Sequence, residues 1–142
     1  GSLSGALAEA MQASGLQDRW RQIPQLPNAE VQAYYHACDV FLNCNDREIF
    51  GMSLLEAMYA GCVPVARCAP GPDMIVEDGV SGFLVEPGAG DTAALARAVR
   101  QAAEAPAMAD AAKARIRSKF LWRNSAETAL AMLQTKGVNR DG

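Results

Sequence analysis

Three short runs without a polar break, at residues 40–42, 63–66 and 83–85, alternate along this chain with stretches of helical character. A run that lacks polar alternation marks a strand covered on both faces. Strands separated by helices cannot be joined as hairpins, so they must lie parallel, with the helices as crossovers on the two faces. The expected fold class is therefore α/β, a doubly wound, Rossmann-like parallel sheet. Its crossovers should be right-handed, and any ligand should lie outside the carboxyl ends of the strands. Residues 43–47 and 67–72 are then expected on the binding edge, with the backbone amides of residues 50–53 between them.

The remaining elements follow from caps and periodicity. Ser4 is placed to cap a helix to about Ser14, with Leu7, Ala10, Met11 and Ser14 on one face and Gly15 just past its end. Residues 20–23 suit a short strand from Trp20 to Ile23, and Pro24 and Pro27 suit a loop. Asn28 should cap a helix through Ala37 whose inner face is Val31, Tyr34, Tyr35 and Cys38. A helix opens at Phe50 and Gly51 and stops at Gly61. One helical turn is expected at 73–76, and turns at Asp78–Gly79 and Ser81–Gly82. Asp91 should cap a helix over 92–104, Pro106 should open another to about Lys119, and a last helix should run from about Trp122 to 136 before a loose tail. There is no internal repeat or low-complexity segment.

The helix over 51–60 carries Met52, Leu54, Leu55, Ala57, Met58 and Tyr59, and so reads as apolar nearly all round and buried. Its polar positions, Ser53 and Glu56, form one stripe at i, i+3 spacing. A carboxylate on a buried helix is costly unless paired, and nothing nearby in sequence offers Glu56 a cation. Its partner must be a distant side chain or a ligand. The amides of Phe50, Gly51, Met52 and Ser53 would be unsatisfied donors at the positive end of the helix dipole, and Gly51 has no side chain to obstruct an approaching anion. Glu48 precedes this group and Glu56 follows it. Carboxylates suit sugar hydroxyls and repel bare phosphate. A phosphate flanked by two polyol rings has the shape of a nucleotide-sugar.

Composition narrows the alternatives. The chain has 142 residues, half of them hydrophobic and a fifth charged, which suits one globular domain with its own core. A formal net charge of −3 gives no reason to expect nucleic acid as a partner. The basic residues gather late, with Lys113, Arg115, Arg117, Lys119 and Arg123 at helical spacing, which reads as a solvated helix face. There is no run of 18 apolar residues and no signal-peptide pattern. Cys38, Cys44, Cys62 and Cys68 form no C-x-x-C pair and have no metal-spaced histidines. They read as buried or half-buried reduced thiols of a cytoplasmic protein, with no metal site. His36 reads as an ordinary helix residue.

The segment Glu48-Ile-Phe-Gly-Met-Ser-Leu-Leu-Glu56-Ala-Met-Tyr-Ala-Gly-Cys-Val-Pro-Val resembles the E-x7-E motif of retaining glycosyltransferases of the GT-B fold, family four in particular. The stretches Leu16-Gln-Asp-Arg-Trp-Arg-Gln-Ile, Tyr35-His-Ala-Cys-Asp-Val-Phe-Leu and Pro70-Gly-Pro-Asp-Met-Ile-Val-Glu-Asp-Gly-Val-Ser-Gly-Phe-Leu-Val-Glu-Pro resemble further segments of that family in order and spacing. The resemblance runs from about residue 5 to residue 135.

It implies that Glu48 contacts the donor sugar hydroxyls and aligns the anomeric centre, as the catalytic residue. It implies that amides near Gly51, Met52 and Ser53 hold the diphosphate, with Ile49 and Phe50 beside the sugar. Glu56 would bind the ribose, and backbone around Ile23 to Leu26 would meet the base. Transfer would proceed with retention and without a bound metal or other cofactor. Ile49, Pro24 and Asp73 depart from the family pattern, which carries glycine, glycine and glutamate there.

The family's corresponding domain also begins with two further strands and follows an acceptor-binding domain. Residues 1–142 are accordingly expected to be part of a C-terminal donor-binding domain, with helices over 92–136 packed on it. The two strands and the N-terminal acceptor domain would come from the rest of a longer chain, and the piece alone would be inactive. The expected partner is a nucleotide-sugar donor, with the acceptor unidentified and membrane contact at most peripheral, through the whole protein. Two other readings stand beside this one: a sugar-nucleotide epimerase of the same architecture, and a non-catalytic nucleotide-binding or interaction module.

Overall fold

The computed structural model describes residues 3–121, so the helix expected from Trp122 lies outside the described residues. Two compact units divide at residue 31. In the first, α1 (Leu3–Ala13) begins one residue before Ser4, which is therefore inside the helix and not its cap. The helix closes as expected. Gly15 takes φ 67°, its amide donates to Gln12 O at 3.0 Å, and the Leu16 amide donates to Met11 O at 2.8 Å. This is the paired C-terminal bonding that a left-handed glycine permits.

The strand expected at 20–23 does not form. Strand propensity is realised only where a neighbour completes the hydrogen-bond ladder, and among the described residues the sheet has three strands, none of them here. In α2 (Asn28–Ala37) the cap position is one residue earlier than expected: Pro27 O accepts the Val31 amide at 3.2 Å, so Asn28 is already helical. This helix buries no residue, and Tyr34 and Cys38 on its expected inner face are exposed. Tyr35 is half-buried and meets Phe41 edge-on, with ring centroids 5.8 Å apart.

The second unit contains the sheet. Strands β1 (Val40–Asn43), β2 (Val63–Arg67) and β3 (Phe83–Val85) lie parallel in the order β1-β2-β3, with Val40 opposite Val63 and Val65 opposite Phe83. Between them run α3 (Met52–Ala60) and α4 (Pro70–Ile75), and after them α5 (Asp91–Ala103) and α6 (Pro106–Lys119). Both faces are covered. Leu54, Met58, Ile75, Val76, Ala112 and Ile116 form one core. Val63 and Val65 pack on Leu95, Ala98 and Ala102 in the other.

The central strand β2 is buried from Val63 to Ala66, as its sequence required. Strand β1 is not covered throughout: Val40 packs on the α5 core, whereas Leu42, nearer the carboxyl edge, is 47% exposed. The turn expected at 73–76 begins earlier, because Pro70 supplies a preformed φ at the first helical position of α4.

The basic face of α6 is more than solvated. Arg115 donates to the carbonyls of Met74 and Ile75 at the end of α4 and to Glu77 Oε2 at 3.2 Å, placing a cation on the negative end of that helix. The Arg117 guanidinium lies 5.8 Å from the Tyr59 ring centroid. Among the described residues no helix is long and apolar enough to cross a membrane.

The thiols divide by position. Cys38 and Cys44 are exposed, against expectation, whereas Cys62 is buried and Cys68 half-buried. The Cys62 thiol donates to Tyr35 O at 3.1 Å. Burial pushes Cys62 and Cys68 up to about 11, helped at Cys68 by hydrogen bonding to Glu86. Unfolded thiols ionise near 8.5, so the folded state holds these protons more tightly than the unfolded one. The sign follows: this contribution is fully present below about pH 8.5 and is lost as pH rises towards 11. Denaturant midpoints should therefore fall across that alkaline range, and less so in Cys62→Ala. An unchanged slope in that variant would show the buried thiol to be uncoupled from stability.

Candidate functional site

Because the strands are parallel, the segments leaving β1, β2 and β3 emerge at one carboxyl edge, and the candidate residues lie mainly on the first two. After β1 the chain is bent by its own side chains. Asn43 Oδ1 accepts the Asn45 amide at 2.9 Å, and Asn45 Oδ1 accepts the Arg47 amide at 3.0 Å. Glu48 follows, half-buried. Its carbonyl accepts the Gly71 amide from α4 at 2.9 Å. A Cβ on Gly71 would stand 3.0 Å from backbone atoms of Ile49 and Phe50, so only glycine lets α4 lie this close to the Glu48 segment.

The Glu48 carboxylate turns onto the start of α3. Its Oε1 accepts the Gly51 amide at 3.1 Å and the Phe50 amide at 3.4 Å. Two of the four amides expected to be open are thus occupied by the protein's own carboxylate, which suits the positive end of the helix. Gly51 caps α3 at φ 70° and ψ 39°, and among the described residues no side chain bonds to the helix start beyond it. The first-turn amides of Met52 and Ser53 consequently remain available to an anion.

The role of Gly51 also differs from expectation. It is buried, and a Cβ there would lie 2.9 Å from Ile75 Cδ1. The glycine serves a left-handed backbone and the core beneath, rather than clearance for a ligand. Beside it, Ile49 is 61% and Phe50 75% exposed.

Helix α3 is not buried all round. Leu54, Ala57 and Met58 enter the core, whereas Met52 and Tyr59 are exposed and Leu55 and Glu56 half-buried. Met52, Leu55, Glu56 and Tyr59 line one side of an open cavity of about 230 Å³, with Gln32, Ile116 and Phe120 opposite. The Glu56 side chain makes no hydrogen bond or ion pair with any described residue. Its carboxylate is therefore open to a ligand, in a wall that is otherwise apolar. Leu26, expected near a base, belongs to the unit of residues 1–31 and is half-buried there. Asp73 Oδ1 accepts the Ala69 amide at 3.2 Å, a local bond at the start of α4.

Arg67, expected on the binding edge, has a role that sequence reasoning did not assign. It ends β2, and its Nη1 donates to Cys44 O at 3.0 Å while Nη2 pairs with Asp91 Oδ2 at 2.9 Å. Asp91 does not cap α5 as expected; Gly90 does so, at φ 83°, and Asp91 accepts the Gly88 amide at 3.4 Å besides holding Arg67. An arginine closing an apolar strand at the carboxyl edge was the signal available. In sum, a carboxylate fixed at a helix start, two open amides beside it and a second, unpaired carboxylate further down the same helix can receive hydroxyls and an anion in one ligand.

The family model described as glycosyl transferases group 1 matches residues 4–119. The chain is similar to sucrose synthase of Acidithiobacillus caldus, with 35% identity over 99 residues, 66% of this chain and 12% of that one. Among solved structures, sucrose-phosphate synthase from Thermosynechococcus elongatus superposes with a TM-score of 0.76 at 26% identity, over 93% of this chain and 34% of that one. Anabaena Alr3699/HepE in complex with UDP-glucose gives 0.74 at 24% identity, over 93% and 36%. The chain thus spans well under half the length of each of these proteins.

Proposed function

The chain belongs to the glycosyl transferases group 1 family, and on that premise we propose that it is the donor-binding portion of a longer retaining glycosyltransferase. The reaction moves a sugar from a nucleoside-diphosphate sugar to an acceptor bound by another part of the protein. One observation carries the reading. The Glu48 carboxylate is fixed on the Gly51 amide at 3.1 Å, with the next two amides of α3 left open.

In this reading Glu48 receives the donor sugar hydroxyls and aligns the anomeric carbon. Its own bonds to Phe50 and Gly51 hold it in place, and the diphosphate takes the amides of Met52 and Ser53. Charge developing on the leaving diphosphate is met by these fixed donors and the helix dipole, with no resident metal. Ile49 flanks the sugar. The Glu56 side chain, unpaired among the described residues, receives the ribose hydroxyls. The Anabaena neighbour's complex with UDP-glucose supports a nucleotide-sugar as donor. A site closed by two domains leaves this portion alone without turnover.

Calorimetric titration of the full-length protein with UDP-, GDP- and ADP-sugars tests the proposal. One class is expected to bind, and Glu56→Ala should weaken it by the roughly 1–3 kcal/mol of a lost buried polar contact. Absence of binding by all three classes would overturn the donor assignment. Undiminished binding by Glu56→Ala would remove that residue from the site.

A further inference from the structure

We propose that Arg67 is a positioning residue for Glu48, acting through the segment that carries it; the inference rests on the function proposed above. The segment from Cys44 to Gly51 has no regular secondary structure, yet it must hold a carboxylate to a fraction of an ångström. It is held at two points by one stretch of chain. Arg67 Nη1 grips its first residue, at Cys44 O, with a 3.0 Å bond. Four residues later the Gly71 amide grips the Glu48 carbonyl at 2.9 Å. The end of β2 and the start of α4 therefore clasp the connection from β1 to α3 at Cys44, within the bend made by Asn43 and Asn45, and at Glu48, just after it.

The guanidinium is itself anchored. Nη2 pairs with Asp91 Oδ2 at 2.9 Å, and Asp91 sits in the first turn of α5, after β3. One side chain thus joins the segments that leave all three described strands. Its planar fork allows this; an ammonium can supply charge at one point but cannot span two fixed acceptors in the same geometry. Only about a quarter of the Arg67 side chain is exposed, and its Nε is shut from solvent with no hydrogen-bond partner among the described residues. A donor left unpaired in this way is destabilising. Leucine or valine would fill the end of a buried strand without that penalty, so the arginine is explained by what its two Nη groups hold.

The test uses the full-length protein with Arg67→Lys, Arg67→Met and Asp91→Asn, each also combined with Glu48→Ala. Displacing Glu48 by about an ångström should lower kcat roughly 10- to 100-fold, with the donor KM little changed. Arg67→Lys should recover part of the loss relative to Arg67→Met. In the Glu48→Ala background the Arg67 substitutions should have no further effect on kcat, because there is no carboxylate left to misplace. Additive losses in that background, or a lowered melting temperature with kcat intact, would overturn the inference. Should Arg67→Met fail to fold, Arg67→Lys carries the same cycle. If Glu48→Ala alone leaves kcat unchanged, it is the proposed function that fails.

Discussion

On the proposed function, Glu48→Ala in the full-length protein is expected to lower kcat about 10²- to 10³-fold, the range seen when a preorganised group facing transition-state charge is removed. Donor affinity should change far less, because the proposed site assigns the diphosphate to the amides of Met52 and Ser53 and the ribose to Glu56. The split matters: a residue that acts on the reacting centre lowers kcat with kcat/KM, whereas one that only binds raises KM. The alanine also strips the acceptor from the Gly51 and Phe50 amides, now 3.1 and 3.4 Å from Glu48 Oε1. Loss of these local bonds should destabilise the turn that leads into α3 by about 1 kcal/mol. Glu48→Gln separates the effects, since its amide oxygen can still receive the Gly51 amide while the negative charge is gone. Single-turnover assays with calorimetry on both variants decide the matter. If glutamine restores full turnover, the charge is not what the reaction uses.

Gly82→Ala is expected to cost about 3 kcal/mol or more of folding stability, the upper range for forcing an atom into a packed core. A Cβ at Gly82 would lie 2.4 Å from Pro64 Cγ and 2.6 Å from Pro64 O. Neither can yield. Pro64 is fully buried in the central strand β2, and its ring holds it rigid. Gly82 is itself tied down, its carbonyl accepting the Gly79 amide at 2.8 Å. Gly79→Ala is the matched control: Gly79 has φ 74° but nothing within 4 Å of a Cβ, so only the left-handed backbone is strained, at about 1–2 kcal/mol. Equilibrium denaturation of the two variants should show the larger loss at Gly82. Equal losses would mean that the sheet tolerates a wider spacing at Pro64.

The elements that were legible in sequence are those whose causes are local. Gly15 and Gly61 end α1 and α3 through left-handed φ values of 67° and 106°. The unbroken apolar run that became β2 left no choice but a strand covered on both sides. Local reasoning failed where the cause lay elsewhere in the chain. Residues 20–23 have strand-forming side chains, but a strand needs a neighbour, and propensity carries no information about one. The apolar residues of α3 indicate burial without saying in which direction, and Met52 and Tyr59 line an open cavity instead of the core. Glu48 on the Gly51 amide is the exception: a bond across three residues was within reach of sequence reasoning and was not anticipated.

What the sequence determined by itself was the α/β class, the parallel order imposed by alternating strands and helices, and two glutamates spaced along one helix start. These follow from periodicity, from glycine conformations and from the cost of burying a charge, all properties of residues near one another in the chain. Only the tertiary structure decided how the two glutamates differ: Glu48 is held by the turn before α3 and by Gly71, and the Glu56 side chain is unpaired among the described residues, in an apolar wall. It alone also joined Arg67 to Cys44 and to Asp91, residues more than twenty positions away in each direction. Hydrogen bonds of that reach depend on where the sheet sets the ends of its strands, and that geometry exists only once the chain has folded.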